Sequence, residues 1–394
     1  MNIYNNQDDF ETLYFKSKLF FDKFSRIFST FLIRIRKFLM LPYCYFKSVD
    51  WNECKTSRIQ VIYDLLYIFF KLKYYPENYG YCRLWEKDRS EWKYYYGSNY
   101  DAYQKYKLEK EIAKKEYEIV FEDKEVLQQV CVACNLNIPK CFGYLGPDDN
   151  ILGKLNEFFK TTKKNRLIVK PVRGRGGRDI LLAKRNDDSI KIYRMKTELN
   201  NEKISLKERF IVQEYIEQDK ELTKLTTSAS IRITTFYSKS NEILLIGGEV
   251  LTAVDSDYLS NWSAGGVTIS VDLETGRLHE KGYDKYGCEY RTHPSSNIVF
   301  KDYVMPRWDE IKAFAIKIQT SFPYYRMLGP DITLTKDGPI LYEINATPDL
   351  SSTEQSCGPL LRNKRLLKEF NEYDLLISKA QKGLLRQSGT SAKA

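Results

Sequence analysis

Histidine is scarce in this 394-residue chain, which has only His279 and His293. A mechanism resting on a histidine base, or a histidine-rich metal centre, has few places to stand. No uncharged apolar run approaches the roughly 18 residues that a membrane-spanning helix requires. Both common nucleotide loops are missing. No glycine-lysine pair precedes Ser or Thr, and the segment RLIVKPVRGRGGRDILLAK departs from G-x-G-x-x-G because residue 179 is Asp. No nucleic-acid motif accompanies the net charge of +10, so nucleic acid is not an expected partner. The eight cysteines are scattered with no secretory signal peptide ahead of them, and reduced thiols in the cytoplasm are expected. Cys131-x-x-Cys134, with Cys141 nearby, lies in an apolar helical setting without a second such pair or a neighbouring histidine, which argues against zinc. Against these absences stands a composition of 43% hydrophobic and 14% aromatic residues, enough to build a real core in two or three lobes.

The most informative stretch is LGPDITLTKDGPILYEINATPDLSS, Leu328 to Ser352. Ile332–Leu334 and Ile340–Ile344 read as the strands of a β-hairpin around a Lys336-Asp337-Gly338-Pro339 turn. Glu343 and Asn345 are two residues apart and share a strand face. A plain two-residue loop at Asp337-Gly338 would pair residue 331 with 344, so Asp331 joins that face only if the hairpin has an odd or bulged connection. A bulge is therefore expected. Asp, Glu and Asn oxygens gathered on adjacent strands suit Mg²⁺, which takes oxygen ligands from one or two carboxylates and substrate phosphates. Solvated strand carboxylates in an ordinary hairpin are the alternative.

Further upstream, Arg166 to Lys184 reads as strand, glycine loop, strand. Gly174, Gly176 and Gly177 permit close backbone approach, and Arg173, Arg175 and Arg178 concentrate positive charge around them, as a loop closing over phosphates would. Phe210 to Ile216 is a strand running into the polar patch Glu217–Lys220. SASIRITTFY alternates around Arg232. Near the N-terminus, Phe20, Phe24, Ile27, Phe28, Phe31, Ile35 and Phe38 recur at helical spacing among basic residues. Such a helix either packs on the protein or lies in the interface of an anionic membrane. The tyrosine- and tryptophan-dense segment that follows, within residues 51–118, either fills a core or stacks on sugar rings.

Lys170 ahead of a glycine loop, a strand ending Gln213-Glu214-Tyr215-Ile216, an Ile-Arg strand, and D…E-x-N on a late hairpin form an order that resembles the ATP-grasp superfamily. NWSAGGVTISVDLETGRL, THPSS, MPRWDEI and the hairpin itself are similar to its sugar-transfer-associated family, over roughly residues 75–361. The resemblance implies an α+β ATP-grasp fold of two lobes gripping ATP. It implies a phosphate role for Lys124 and Lys170, adenine recognition by Gln213, Glu214, Tyr215 and Ile216, and ribose binding by Glu221. It also implies magnesium, two ions with Mn²⁺ able to substitute, at Asp331, Glu343 and Asn345, and transition-state or carboxylate binding by Arg232.

The activity so implied is ADP-forming carboxylate-amine ligation through an acyl phosphate, joining an amino acid or amine to a uronic acid of a bacterial capsular or surface polysaccharide or its precursor. A peptide or protein amino-acid ligase similar to tubulin tyrosine ligase, and a non-catalytic ATP-binding module docked to polysaccharide machinery, are the alternatives. The expected division is a helical, aromatic-rich region over 1–118 with a membrane-surface or partner helix at 19–46, a small lobe over 119–215, a large lobe over 216–380 and a disordered tail over 381–394. The expected location is cytoplasmic, peripheral on the inner face of the membrane if the helix docks there.

Overall fold

A computed structural model describes residues 24–389, except 26, 99–100, 175–176, 178, 187–188, 201–203, 205, 255–257, 259, 261–264, 286 and the side chains of 387–389. Two antiparallel sheets form its frame. The first has six strands in the order β1-β6-β2-β3-β4-β5: β1 Cys141–Leu145, β2 Arg166–Pro171, β3 Leu181–Asn186, β4 Ser189–Arg194, β5 Thr197–Glu198 and β6 Phe210–Glu214. The helix Ile151–Thr162 covers this sheet, and Leu155, Phe159, Leu167, Val169 and Val212 make the small lobe's core. Asn150 starts the helix by accepting the Gly153 N–H, satisfying one of the first-turn donors that have no intrahelical partner.

The second sheet runs β11-β10-β9-β8-β7-β12-β13. Its strands are β7 Ala229–Tyr237, β8 Ile243–Thr252, β9 Val267–Val271, β10 Leu278–Tyr283, β11 Glu289–Tyr290, β12 Met327–Thr335 and β13 Gly338–Asn345. The helix Trp308–Ser321 packs on it through Ile311, Ala315 and Ile318. Strand alternation sorts β7 between core and cleft: Ile231 and Ile233 join that core while Arg232 points the other way.

The hairpin of β12 and β13 contains the expected irregularity, but away from the turn. Thr335 pairs with Gly338 around the two-residue loop Lys336-Asp337, and Ile332 still pairs with Leu341, whereas Asp331 pairs with Glu343. Tyr342 is thus the extra residue of a bulge. Without it, Leu341 and Ile344 would lie on opposite faces; with it, both are in the core and Glu343 faces the cleft beside Asp331.

The N-terminal region packs on the large lobe. Tyr96, Leu108 and Ile112 share a core with Phe236, Leu366 and Phe370. The expected disordered tail over 381–394 is corrected by the helix Lys379–Gly389. Leu384 is buried in the same core, and the Gln381 amide donates to the Tyr95 carbonyl at 3.0 Å, so this segment has both apolar and polar anchors. Residues 390–394 lie outside the described residues, as does Phe20 of the N-terminal stripe.

Candidate active site

A cavity of about 1280 Å³ separates the two sheets, ample for a nucleoside triphosphate with a second substrate. One wall comes from the small lobe: Lys170 at the end of β2, Gln213 and Glu214 at the end of β6, then Tyr215 to Lys220 in the connection between lobes. Asp331, Tyr342 and Glu343 from the bulged hairpin form the facing wall. The connection is tied to the large lobe. Gln218 brackets Ala229, accepting its N–H at 2.9 Å and donating to its carbonyl at 2.8 Å, while Asp219 N–H donates to the Leu334 carbonyl.

Arg232 donates from Nε to Asp331 Oδ1 at 2.7 Å and from Nη2 to Oδ2 at 2.8 Å, a bidentate pair with fixed geometry. Burial works against the guanidinium's charge, but Asp331 outweighs it and the Arg232 pKa is raised. Asn345 donates from its amide nitrogen to Asp331 Oδ2 at 3.1 Å and to the Gly329 carbonyl at 3.0 Å. Gly329 is needed where it stands, because a Cβ there would come within 2.8 Å of Pro348 Cβ. Among the described residues Glu343 has no hydrogen-bonded or ion-paired partner, and it lines the cleft next to Asp331. An open carboxylate beside one already oriented, with the Asn345 side chain hydrogen-bonded to the latter though outside the cleft lining, is a donor set that fits Mg²⁺. No cluster of three or more His, Cys, Asp or Glu is present among the described residues, so the third protein oxygen would be the amide's.

Lys170 is buried, with its ammonium 3.4 Å from the Tyr342 carbonyl oxygen. Burial lowers its pKa to about 8; the Glu343 charge acts to raise it and the Lys124 charge to lower it. If this ammonium holds phosphate, its contribution to ATP affinity is constant well below pH 8 and falls as the proton is lost above it, by up to about tenfold per pH unit. Calorimetric titration with ATP across pH 6–10 checks this, and Glu343→Gln should move the limb to lower pH. A flat profile would remove Lys170 from phosphate binding.

Other expected residues are placed less uniformly. Gly177 lines the cleft with positive φ, and Gly174 accepts a hydrogen bond from Lys124 Nζ at 3.0 Å, which ties that lysine to the loop rather than to the cleft wall. Arg173 pairs with Asp123 at 3.1 Å. Gly176, Arg175 and Arg178 lie outside the described residues. Gln213 donates to the Gln128 side chain at 2.7 Å, Glu214 pairs with Lys164 at 2.7 Å, and Tyr215 lies under the Arg166 guanidinium. Glu221 is not in the cleft lining; it is exposed and pairs with Lys224, and the wall there consists of Gln218, Asp219 and Lys220.

Sequence reasoning missed Glu249, buried directly across from Arg232 on β8 and accepting from Ser356 Oγ at 2.7 Å. Its burial raises its pKa, and Arg232 opposes that rise. The available signal was a lone acid inside the apolar run ILLIGGEVLT. Asp349, which begins the helix Leu350–Cys357 by accepting the Ser351 N–H, was missed too.

A small and a large antiparallel lobe, meeting at a cleft that offers a buried lysine, an extended interlobe connection and paired carboxylates, define a nucleotide-grasping protein. The family model described as sugar-transfer associated ATP-grasp matches residues 103–371, and the chain belongs to that family. ATP-grasp enzymes in general use ATP and Mg²⁺. Among curated proteins none matches the chain in sequence. Similar solved structures include the D-alanine-D-alanine ligase from Coxiella burnetii, with 12% identity, TM-score 0.37, and coverage of 72% of this chain and 65% of that one. Others are D-alanyl-alanine synthetase A from Vibrio cholerae, with 13% identity, TM-score 0.38 and coverage of 67% and 65%, and a RimK domain ATP-grasp protein from Sphaerobacter thermophilus, with 12%, 0.35, and 64% and 70%. The chain thus spans just under two thirds of the length of the two alanine ligases.

Proposed function

We propose that this protein is an ADP-forming carboxylate-amine ligase that joins an amine or amino acid to a carboxylate-bearing sugar of a bacterial surface polysaccharide or its precursor. The observation that carries the ligase reading is the single cleft in which Lys170 and the interlobe connection face Asp331 and the open Glu343 carboxylate. Its described lining holds no histidine or cysteine, which suits chemistry done by positioning and charge rather than by a covalent enzyme intermediate. The sugar part rests on the family alone.

In this reading a substrate carboxylate oxygen attacks the γ-phosphorus of ATP, and the bond to the ADP oxygen breaks. The amine nitrogen then attacks the acyl carbon; the carbon–oxygen bond to phosphate breaks, phosphate leaves and the amine gives up a proton. Lys170, itself buried, neutralises phosphate charge. Asp331, Glu343 and the Asn345 oxygen would hold Mg²⁺, which supplies further neutralisation of phosphate charge. Arg232 orients Asp331 through two of its nitrogens, and its remaining Nη1 is the one available to a substrate oxygen.

Incubation with ATP and magnesium, across uronic acids, their nucleotide-sugar and oligosaccharide forms, and amino acids, tests the reading. ADP and phosphate should appear only with a matching acid and amine, with the condensed amide found by mass spectrometry. AMP and pyrophosphate in place of ADP would overturn the acyl-phosphate route, and peptide products with no sugar requirement would replace the sugar substrate with a peptide one.

A further inference from the structure

The N-terminal helix is built inside out. Over residues 27–39 its apolar side chains other than Ile33 point away from the protein and several polar ones point inward. Phe24, Ile27, Phe31, Ile35, Phe38 and Leu39 are all exposed, Phe31 by 59% and Leu39 by 71%. The half-buried side is Thr30, Ile33, Arg34 and Lys37. Arg34 explains how this side is held: it pairs with the buried Asp101 at 2.7 Å, donates to the Phe69 carbonyl and stacks on the Phe69 ring. Lys37 lies over the Tyr75 ring at 4.1 Å. A helix that packs on a globular core presents the opposite arrangement.

The outward apolar surface continues onto a second element. Phe38 touches Phe70 with ring centroids 5.8 Å apart, and Phe70 is itself 57% exposed. Ile59, Ile62 and Tyr63 are exposed on the helix Arg58–Tyr67, which runs directly into the turn Ile68–Leu72 that carries Phe70. Two thirds of the exposed large apolar side chains among the described residues lie between positions 24 and 70, a concentration that a solvated monomer surface does not ordinarily show.

The charge around this surface has one sign. Between residues 24 and 73 the sequence has nine lysines and arginines against the three acids Asp50, Glu53 and Asp64. Arg36, Lys47, Lys55, Arg58, Lys71 and Lys73 are exposed, whereas Asp64 is buried, Asp50 is half-buried, and Glu53, the one exposed acid among the described residues of this segment, pairs with Arg83. No described helix is long and apolar enough to cross a membrane. A second copy of the chain would set this basic surface against its own likeness, a repulsive match. A bilayer with anionic headgroups offers both things the surface lacks, apolar depth for the aromatic side chains and negative charge for the basic ones.

We propose that residues 24–73 form a docking face for the interface of an anionic membrane, seating the protein on the lipid surface without crossing it. The inference is independent of the ligase reading, because it can be measured without turnover.

The test is co-sedimentation of the full chain with vesicles of phosphatidylcholine alone or mixed with phosphatidylglycerol. Binding should be at least about tenfold stronger to the mixed vesicles and should fall with added salt. Phe31→Asp with Ile35→Asp, and separately Arg36→Glu with Lys71→Glu, should each weaken it by about tenfold or more, while Val132→Asp, exposed but outside the face, leaves it unchanged. All of these side chains are exposed, so the unfolding midpoint should stay put and report that folding is intact. Recovery in the supernatant with every vesicle at low salt would overturn the proposal, and so would vesicle binding indifferent to the Phe31/Ile35 pair. Light scattering that shows a dimer dissolved by that same pair would overturn it in favour of a contact between copies.

Discussion

Glu343→Gln should lower the rate of ADP formation by about a hundredfold to a thousandfold while the protein stays folded, the loss expected when one preorganised charge contact to a transferring phosphoryl group is removed. The substitution is close in shape and removes only the charge. It is also the cleanest of the carboxylate tests. Asp331 is locked to Arg232 through both oxygens and to Asn345 through one, so Asp331→Ala leaves a buried guanidinium without its counter-charge and costs about 3–5 kcal/mol of stability before any catalytic effect is seen. Glu343 has no such partner among the described residues, so its loss reads on ligand binding and chemistry. Inside the protein its charge acts on Lys170 and Arg232, supporting the pKa of each. Because losing Glu343 lowers the Lys170 pKa further, rates are compared toward the acid side, where protonation of Lys170 is most nearly equal in the two proteins. Wild-type rates in Glu343→Gln, with the same magnesium dependence, would remove Glu343 from the metal set and leave Asp331 and Asn345 without their open neighbour.

The irregularity of the hairpin could be deduced from the chain because strand parity is strict. Asp331, Glu343 and Asn345 cannot face one cleft while Leu341 and Ile344 face one core unless a residue is added, and Tyr342 is that residue. Lys170 was singled out only through the family resemblance, and the structure places it buried in the cleft lining. The N-terminal helix shows the limit of such reading. Periodicity reveals that one side is apolar but not which way it faces, and here the direction is set by Asp101 and the Phe69 carbonyl, both far along the chain from Arg34. The polar shell of the site was hidden by the same distance in sequence. Glu249 meets Arg232 across a strand pair, Gln128 reaches Gln213 from a helix, and Gln218, Asp219 and Lys220 line the cleft where the resemblance implied Glu221.

The buried glutamate that joins the N-terminal region to the large lobe should be among the most costly side chains to lose. Glu354 is almost wholly enclosed, in the helix Leu350–Cys357. Its Oε1 accepts the Tyr96 N–H at 2.6 Å and the Leu360 N–H at 3.4 Å; its Oε2 accepts the Gly97 N–H at 3.0 Å and the Asn78 side-chain amide at 2.9 Å. Tyr96 and Gly97 end the aromatic segment, and Asn78 starts a short helix within it, so one carboxylate satisfies three donors from a region some 260–280 residues earlier in the chain. Glu354→Ala removes every acceptor at once, and each buried N–H left unpaired costs about 1–3 kcal/mol, so the total should exceed about 3 kcal/mol. Glu354→Gln keeps one oxygen for two of the donors and, after a flip of Asn78, can donate to the Asn78 carbonyl oxygen, which otherwise has no partner. Only one backbone donor then faces another N–H, and a loss of about 1–3 kcal/mol is expected. Urea unfolding followed by tyrosine and tryptophan fluorescence should therefore rank wild type above Gln and Gln above Ala. Equal midpoints for all three would mean that the apolar contacts of Tyr96, Leu108 and Ile112 with Phe370 hold the two regions together without this carboxylate.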